Sequence, residues 1–437
     1  MNSAPLLAPY FARLQSLSAL RWEGQVTQVI GQLVSSEGPF SSVGELCDVV
    51  SSTGRIFPGE IVGFRGTTVL AMPLEQPTGI RYGDRVVTWG ARPELRVGPG
   101  LIGRVIDGRG EPLDSRGPCA GRDFQVLDAV APLPLAREAI REAIGSGIRA
   151  VDGFLTCGRG QRLGIFGGSG VGKSTLLGMM ARNTSADLTV LALVGERGRE
   201  VRHFLEDVLE EEGRRRSVVV VSTSDQSPLL RIRAALAATA VAEYFCAQDK
   251  SVLLVVDSLT RLAMAQREIS LAAGEPPTAK GYTPSVFALL ARLIERAGKF
   301  SRGSITAFYT VLMEGDDQQD PLVDGVRALL DGHIMLDRRL ASQGHYPPIA
   351  ILDSISRLMP MVCSAEHLHQ AQSLRQLLAV HQASADLVHI GAYQKGSDAV
   401  LDQALAVMPR LHQFLDQGAQ DRAAFEDTLS KLSAIGV

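Results

Sequence analysis

The sequence predicts an α/β protein whose main domain is a parallel sheet flanked by helices, with an N-terminal β-barrel before it and a C-terminal helical domain after it. Apolar strand patterns alternate with helical patterns through the middle of the chain, which is typical of a parallel sheet. Short β-rich runs separated by Gly, Pro and Ser precede that region, and helical periodicity dominates after Pro360. Together these observations predict the fold class.

Length and composition limit the classes of protein to consider. A chain of 437 residues is long enough for two or three domains. With 45% hydrophobic residues, 21% charged residues and a formal net charge of -3, it is expected to be globular and not strongly basic. The five cysteines are scattered without zinc-site spacing, so we expect free thiols in a reducing cytosol. We find neither a signal peptide nor an apolar run near the ~20 residues that span a bilayer, so we expect any membrane contact to be peripheral.

Four regions are predicted along the chain. They are an N-terminal helical segment (1–20), a β-barrel (21–93), an α/β domain (94–362) and a C-terminal helical domain (363–437). The first segment carries apolar residues at helical spacing, so it either docks a partner or a membrane surface, or packs on its own domain. The stretch Val97–Asp123 is rich in Gly and Pro and predicts a turn-rich connector.

The α/β domain is expected to alternate strands and helices. The predicted strands are Arg162–Phe166, Leu188–Val194, Ser217–Ser222, Val252–Val256, Ile305–Thr310 and His333–Leu336. The predicted helices are Lys173–Arg182, Arg199–Glu212, Pro228–Ala247 and Pro284–Ala297.

A glycine-rich motif lies between the first of these strands and the first helix. Gly167–Ser174 matches G-x-x-x-x-G-K-[ST], in which glycines let backbone N–H groups turn inward around a phosphate. The motif predicts a P-loop for a nucleoside triphosphate, with Lys173 on the β- and γ-phosphates and the Ser174 hydroxyl on Mg²⁺. The residues expected to surround ATP are Gly167, Gly168, Ser169, Gly170, Val171, Gly172, Lys173, Ser174 and Thr175.

Two carboxylates follow predicted buried strands. Asp257 ends the apolar run Val252–Val256, which carries it to the sheet edge where α/β proteins bind ligands. It is a candidate for holding the hydration shell of Mg²⁺, although an Asp there can also cap the next helix. Glu196 follows the strand Leu188–Val194, where a carboxylate can polarise an attacking water. A charged turn that opens a helix explains Glu196 nearly as well.

Several longer strings resemble the nucleotide-binding subunits of rotary ATP synthases and, more closely, the type III export ATPases. The strings are Gly44–Cys47, Asp257–Arg261, Ala263–Glu268, Ala273–Pro277, Lys280–Tyr282, Gly303–Leu312 and Glu314–Asp317. The resemblance implies that the parallel sheet is a P-loop ATPase core that uses ATP and Mg²⁺.

The same resemblance implies roles for residues in the site. Glu196 matches the catalytic carboxylate, and Arg197 and Arg261 match arginines near the γ-phosphate. Tyr346 matches the aromatic residue that stacks on adenine, and Arg357 matches the arginine finger that enters the neighbouring subunit's site. Without the resemblance, a core tyrosine and a surface ion pair would explain the last two. Because one chain carries both P-loop and finger, identical subunits can complete each other's sites in a closed ring.

The resemblance also implies a function and partners. It implies a homohexameric ring motor that energises flagellar or related type III protein export by chaperone release and unfolding of export substrates. The implied partners are a central stalk-like protein at the acidic loop Glu314–Asp320, a regulator at the N-terminus, export substrates with their chaperones, and an export gate. Peripheral contact with that gate would place the chain in the cytoplasm, at the inner face of the plasma membrane. The acidic loop is equally compatible with simple solvation, and the string Ile390–Asp398 favours the flagellar branch.

Three alternatives differ in what they require of the sequence. A rotary ATP synthase subunit divides catalytic carboxylate and finger between two chains, whereas Glu196 and Arg357 coexist here. A nucleic-acid translocase such as Rho needs a basic, aromatic-bearing groove, and the β-rich region has few aromatic residues, so we expect no nucleic-acid partner. A non-enzymatic ring is disfavoured because every expected catalytic position is filled.

Overall fold

The computed structural model describes residues 20–436 with the exception of 314, 316 and 318. The predicted N-terminal helical segment, apart from residue 20, lies outside the described residues. The acidic loop predicted to meet a stalk-like partner is described in part. Within the described ranges, no helix is long and apolar enough to cross a membrane.

The first unit is an antiparallel β-barrel, as predicted, and it is closed by six strands. Its strands are β1 (Trp22–Ile30), β2 (Leu33–Glu37), β3 (Leu46–Val50), β4 (Ile56–Arg65), β5 (Thr68–Pro73) and β6 (Arg85–Thr88). They neighbour one another in the order β1-β2-β5-β4-β3-β6, and β6 pairs with β1 to close the barrel. The short strand β2 was not predicted because its sequence, LVSSE, is mostly polar.

The connector, predicted to be rich in turns, also includes a strand. It contains β8 (Val105–Asp107), and β7 (Glu94–Val97) and β9 (Asp123–Val126) lie at its two ends. The strands β7 and β9 pair with each other, whereas β8 joins the edge of the main sheet. A strand of three residues between glycines shows no periodicity in the sequence, and its pairing with a distant strand decides its structure.

The main sheet has nine strands and is mostly parallel, as predicted. The next ten strands are β10 (Ala143–Ile144), β11 (Cys157–Gly158), β12 (Arg162–Gly167), β13 (Leu188–Glu196), β14 (Ser217–Thr223), β15 (Ser251–Asp257), β16 (Gly298–Lys299), β17 (Ser304–Leu312), β18 (Gly332–Met335) and β19 (Ile355–Ser356). The order across the sheet is β19-β18-β12-β17-β15-β13-β14-β8, with β16 beside β17. Strands β19 and β16 are antiparallel to their neighbours. The short strands β10 and β11 form a separate pair.

Helices cover both faces of this sheet. In the α/β region they are α1 (Arg149–Phe154), α2 (Lys173–Asn183), α3 (Gly198–His203), α4 (Glu210–Arg215), α5 (Pro228–Cys246), α6 (Leu259–Ala273), α7 (Pro284–Ile294), α8 (Pro321–Leu329) and α9 (Arg338–Ser342). Alternate strand residues enter two hydrophobic clusters, one with α5 to α8 and the other with α1 and α2. The predicted helix at 199–212 is divided by a π-helical turn, Phe204–Val208. Helices α1, α6, α8 and α9 were not predicted.

The C-terminal region is helical, as predicted. It contains α10 (Met359–Val362), α11 (Ala365–Ala383), α12 (Ala385–His389), α13 (Ala399–Leu415) and α14 (Phe425–Ala434). Buried side chains of α11 and α13, such as Leu374 and Leu411, belong to the same hydrophobic cluster as α1 and α2. The helical region therefore shares one hydrophobic cluster with helices α1 and α2 on one face of the sheet.

A buried ion pair joins the barrel to the α/β core. Arg233 of α5 lies 2.9 Å from Glu60 of β4, and the two side chains are 8% and 19% exposed. Burial raises the pKa of the Glu60 carboxyl above its ordinary value although Arg233 opposes the shift. A carboxylate in this position depends on its cation, because removal of one member leaves an uncompensated charge.

We expect Arg233→Met to destabilise the barrel by about 3–5 kcal/mol, because Glu60 then lacks its partner. Both tryptophans, Trp22 and Trp89, lie in or beside barrel strands, so urea unfolding followed by tryptophan fluorescence reports on this unit. The double variant Glu60→Gln/Arg233→Met is the control and should recover most of the loss. Equal midpoints for parent and Arg233→Met would contradict the account.

Candidate nucleotide-binding site

The P-loop begins where β12 ends at Gly167 and finishes where α2 begins at Lys173. Gly170 and Gly172 have φ values of 78° and 97°, a left-handed conformation that glycine adopts without strain. Ser169, Gly170, Ser174 and Thr175 are exposed. The loop therefore forms an open turn at a helix N-terminus, where backbone N–H groups and the helix dipole favour an anion.

Lys173 and Asp257 form an ion pair at the carboxyl edge of the sheet. The Lys173 Nζ lies 2.9 Å from Asp257 Oδ1, and the side chains are 10% and 4% exposed. The Thr310 hydroxyl, from β17 between β12 and β15, donates a hydrogen bond of 2.6 Å to the same oxygen. Ser258, and not Asp257, caps α6 by accepting a hydrogen bond from the Arg261 N–H. The capping explanation of Asp257 is therefore wrong.

Glu196 ends the neighbouring strand β13 and pairs with an arginine. The Arg261 Nε lies 3.2 Å from Glu196 Oε1, and the Glu196 side chain is 15% exposed. Burial raises the pKa of Glu196 to about 7, with further contributions from the Asp257 charge and a hydrogen bond to Glu200; Arg261 and Lys173 oppose the shift. The same hydrogen bond lowers the pKa of Glu200. Glu196 is thus a carboxyl group that changes charge near neutral pH.

Arg197 follows Glu196 but points into solvent. Its side chain is 73% exposed, and its Nη1 lies 3.3 Å from Glu200 Oε1. The Arg197 N–H also donates a hydrogen bond of 3.4 Å to Glu200 Oε2 at the start of α3. Arg197 therefore stabilises the helix after Glu196 in this structure and makes no ion pair with Glu196 itself.

Tyr346 lies beside the P-loop. A Cβ atom added to Gly172 would be 3.7 Å from Cε1 of Tyr346, so the ring lies against the last glycine of the loop. The Tyr346 residue is 47% exposed. A ring with one side on the P-loop and substantial area in solvent can stack on a planar base.

Arg357 is not brought to the P-loop of its own chain. It is exposed and follows β19, which pairs with the amino-terminal end of β18 through Ser356 and Gly332. The backbone N–H of Arg357 donates to the Asp331 carbonyl at 3.0 Å. The P-loop leaves the opposite, carboxyl-terminal end of β12, because β12 and β18 are parallel.

The residues at the sheet edge suit a magnesium-bound triphosphate. Ser174 offers an exposed hydroxyl and Asp257 a carboxylate, and both are the oxygen donors that Mg²⁺ prefers. No cluster of three or more His, Cys, Asp or Glu side chains fit to hold a metal occurs in the part of the chain that the structure describes. A metal bound at this edge would thus depend on ligand phosphates, which is usual for Mg²⁺.

Two polar residues of the site were missed from the sequence. Thr310 lies within a predicted strand, and a hydroxyl in such a buried run indicates a hydrogen bond without indicating its partner, which here is Asp257. Glu200 is four residues after Glu196 in a charged string, which gives no sign that the two carboxyls share a hydrogen bond.

Comparisons with known proteins agree with this geometry. Residues 147–356 match the nucleotide-binding domain of the ATP synthase alpha/beta family, and residues 26–90 match the beta-barrel domain of that family. Residues 363–434 match the T3SS EscN ATPase C-terminal domain.

Similar proteins cover nearly the whole chain. The flagellum-specific ATP synthase of Bacillus subtilis is 50% identical over 94% of this chain and 94% of its own length. The type 3 secretion system ATPase of Xanthomonas euvesicatoria is 46% identical over 100% of this chain and 99% of its own. The solved structure of assembled EscN with its central stalk EscO, from the enteropathogenic E. coli type III secretion system, matches with a TM-score of 0.87 and 41% identity. The match covers 94% of this chain and 99% of the chain in that structure.

The barrel, the P-loop sheet and the C-terminal helices all correspond to these relatives. The chain therefore belongs to the ATP synthase alpha/beta family, within its group of flagellum-specific and type III secretion ATPases.

Proposed function

We propose that this chain hydrolyses Mg-ATP as one subunit of a homohexameric ring motor that energises flagellar or related type III protein export. The observation that carries the proposal is the meeting of Lys173, Asp257 and Glu196 at one edge of the sheet. A cation for phosphate, an oxygen ligand for Mg²⁺ and a carboxyl with a pKa near neutrality are the groups that phosphoryl transfer to water requires.

Each side chain has a defined role in this proposal. Lys173 binds the β- and γ-phosphates, and Ser174 and Asp257 are the residues that would hold Mg²⁺, which neutralises charge on phosphate oxygens. Ionised Glu196 accepts a hydrogen bond from the attacking water and orients it. Arg261 holds the Glu196 carboxylate in place and adds positive charge near the γ-phosphate. Arg197 reaches the same region only if it leaves Glu200.

The position of Arg357 supports a site shared between subunits. Because the residue lies exposed at the end of the sheet opposite to its own P-loop, it is available to a neighbouring copy. Head-to-tail contacts of this kind close into a ring when the rotation allows it. The assembled state of the EscN relative, at 41% identity, supports the same arrangement.

The proposed partners follow from the relatives and from the sequence. The stalk complex of EscN supports a central stalk-like partner for this chain, in contact with the acidic loop. We also propose a regulator at the N-terminus and export substrates with their chaperones as partners. Peripheral contact with an export gate would hold the chain at the cytoplasmic face of the membrane. Identity of 50% to a flagellar relative against 46% to a secretion relative favours the flagellar branch.

The variant Glu196→Gln should bind Mg-ATP as the parent does while its turnover falls by about 10²- to 10⁴-fold, because an amide cannot act as the activating carboxylate. ATP binding and steady-state hydrolysis are measured side by side. Glu206→Gln, in the π-helical turn after α3 and exposed, is the matched control. Equal turnover in parent and Glu196→Gln would remove Glu196 from this role.

The dependence of kcat/KM on pH should follow the ionisation of Glu196. The pKa of this carboxyl is raised to about 7, and only the ionised form activates water. Activity should therefore be low below that pH and rise to a plateau above it. The residual activity of Glu196→Gln should lack the inflection. A flat profile for the parent between about pH 6 and about pH 8 would contradict this assignment.

Arg357→Ala should lower ring turnover by about 10³-fold or more if the arginine acts as a finger. Mixing it with Lys173→Ala, which lacks the phosphate-binding cation but keeps its finger, should restore part of the activity. Mixing Lys173→Ala with the double variant Lys173→Ala/Arg357→Ala is the control and should restore none. Absence of any recovery in the first mixture would contradict action in trans.

The same purified chain separates the proposal from a nucleic-acid translocase. We expect no stimulation of ATP hydrolysis by RNA or single-stranded DNA, because the chain has a net charge of -3 and a β-rich region with few aromatic residues. Strong stimulation at physiological salt would favour the translocase.

A further inference from the structure

Tyr346 is held in place by a short segment from the far end of the chain. The segment is Asp416–Gln417, directly after the last residue of α13, and we call it the clamp. The Gln417 N–H donates to the Tyr346 carbonyl at 2.7 Å, and the Tyr346 N–H donates to Asp416 Oδ1 at 3.3 Å. Both backbone polar groups of the tyrosine are therefore bonded to the clamp.

The clamp is in turn fixed to the α/β domain. Gln417 is 1% exposed, and its side chain accepts from the Arg149 N–H at 2.8 Å and donates to the Gly147 carbonyl at 2.9 Å. The Arg149 guanidinium donates to the Phe414 carbonyl at 2.6 Å and also to the Asp416 carbonyl. A buried amide with its partners satisfied in this way fixes the backbone around it.

The position of the clamp matters because the Tyr346 ring lies against the P-loop. Its Cε1 would be 3.7 Å from a Cβ atom at Gly172, so a small backbone movement at Tyr346 changes the gap between ring and loop. With ATP bound as proposed, the P-loop would take the triphosphate and the base would lie beyond it, beside Tyr346. Displacement of Tyr346 would therefore affect recognition of the base and leave recognition of the phosphates unchanged.

We propose that Asp416 and Gln417 are positioning residues for adenine recognition, through their hydrogen bonds to the Tyr346 backbone. The inference rests on the proposed function, in that it takes the base of ATP to be stacked by Tyr346. The inference goes further by making the affinity of the site for the base depend on the C-terminal helical region. A shift at the end of α13 is transmitted through the clamp to one wall of the nucleotide site.

Asp416 allows a matched pair of variants. The residue is exposed, so its replacement should leave the fold intact. Asp416→Ala removes the acceptor of the Tyr346 N–H, whereas Asp416→Asn retains a carbonyl oxygen at that position. Equilibrium dissociation constants are measured for ATP and for inorganic triphosphate, which lacks the base, together with kcat and KM for ATP hydrolysis.

Asp416→Ala should weaken ATP binding by about 3- to 10-fold, the effect of one lost hydrogen bond, with a corresponding rise in KM and little change in kcat. Asp416→Asn should behave as the parent, and binding of inorganic triphosphate should be the same in all three chains. In a Tyr346→Ala background, Asp416→Ala should have no further effect on ATP binding, because the two residues then act as one unit.

Two results would overturn the inference. One is equal ATP affinity in Asp416→Ala and the parent, and the other is an equal loss of affinity for ATP and for inorganic triphosphate, which would mean a general distortion of the P-loop. The binding measurement does not depend on turnover. A parent chain that binds ATP without hydrolysing it would contradict the proposed function and leave the comparison of affinities intact.

Discussion

The common direction of the parallel strands is the constraint on which the candidate site depends. Strands β12, β15 and β13 all end at one edge of the sheet, so the residues after them meet although they are far apart in the chain. Lys173 and Asp257 thereby come within 2.9 Å, and Glu196 lies close enough for both charges to affect its pKa. The hydrophobic clusters on both faces hold this edge in place. A sheet of mixed direction would distribute the same residues over two edges.

The side-chain charges at this edge of the sheet nearly balance one another. Lys173 compensates Asp257, and Arg261 compensates part of the charge of Glu196. Burial still raises the pKa of Glu196 to about 7, so the carboxyl is ready to gain or lose a proton under physiological conditions. Under the proposed function, an incoming triphosphate would bring negative charge and take the place of Asp257 as the partner of Lys173, so the buried ion pair is compatible with nucleotide binding at the same place.

Local signals made much of the site predictable from the sequence. The P-loop is a contiguous motif, and Asp257 and Glu196 each follow an apolar run that predicts a buried strand, which indicates their position at the sheet edge. The catalytic role of Glu196 came from the resemblance. The clamp on Tyr346 was not predictable, because it joins residues 70 positions apart through the backbone of Tyr346, which carries no sequence signal, and a single carboxylate among many polar side chains. The strand β8 and the π-helical turn were not predicted for a similar reason, because pairing and packing with distant residues determine both. The role of Arg357 came from resemblance, and its exposed position becomes meaningful only beside a second copy.

The most direct test of the account is a structure of the assembled chain with Mg²⁺ and a non-hydrolysable ATP analogue. The account predicts that Lys173 exchanges Asp257 for phosphate oxygens, that Asp257 and Ser174 lie beside the metal, and that Arg357 from a neighbouring copy approaches the terminal phosphate. A bound analogue with the ion pair between Lys173 and Asp257 intact, and with every Arg357 remote from nucleotide, would contradict it.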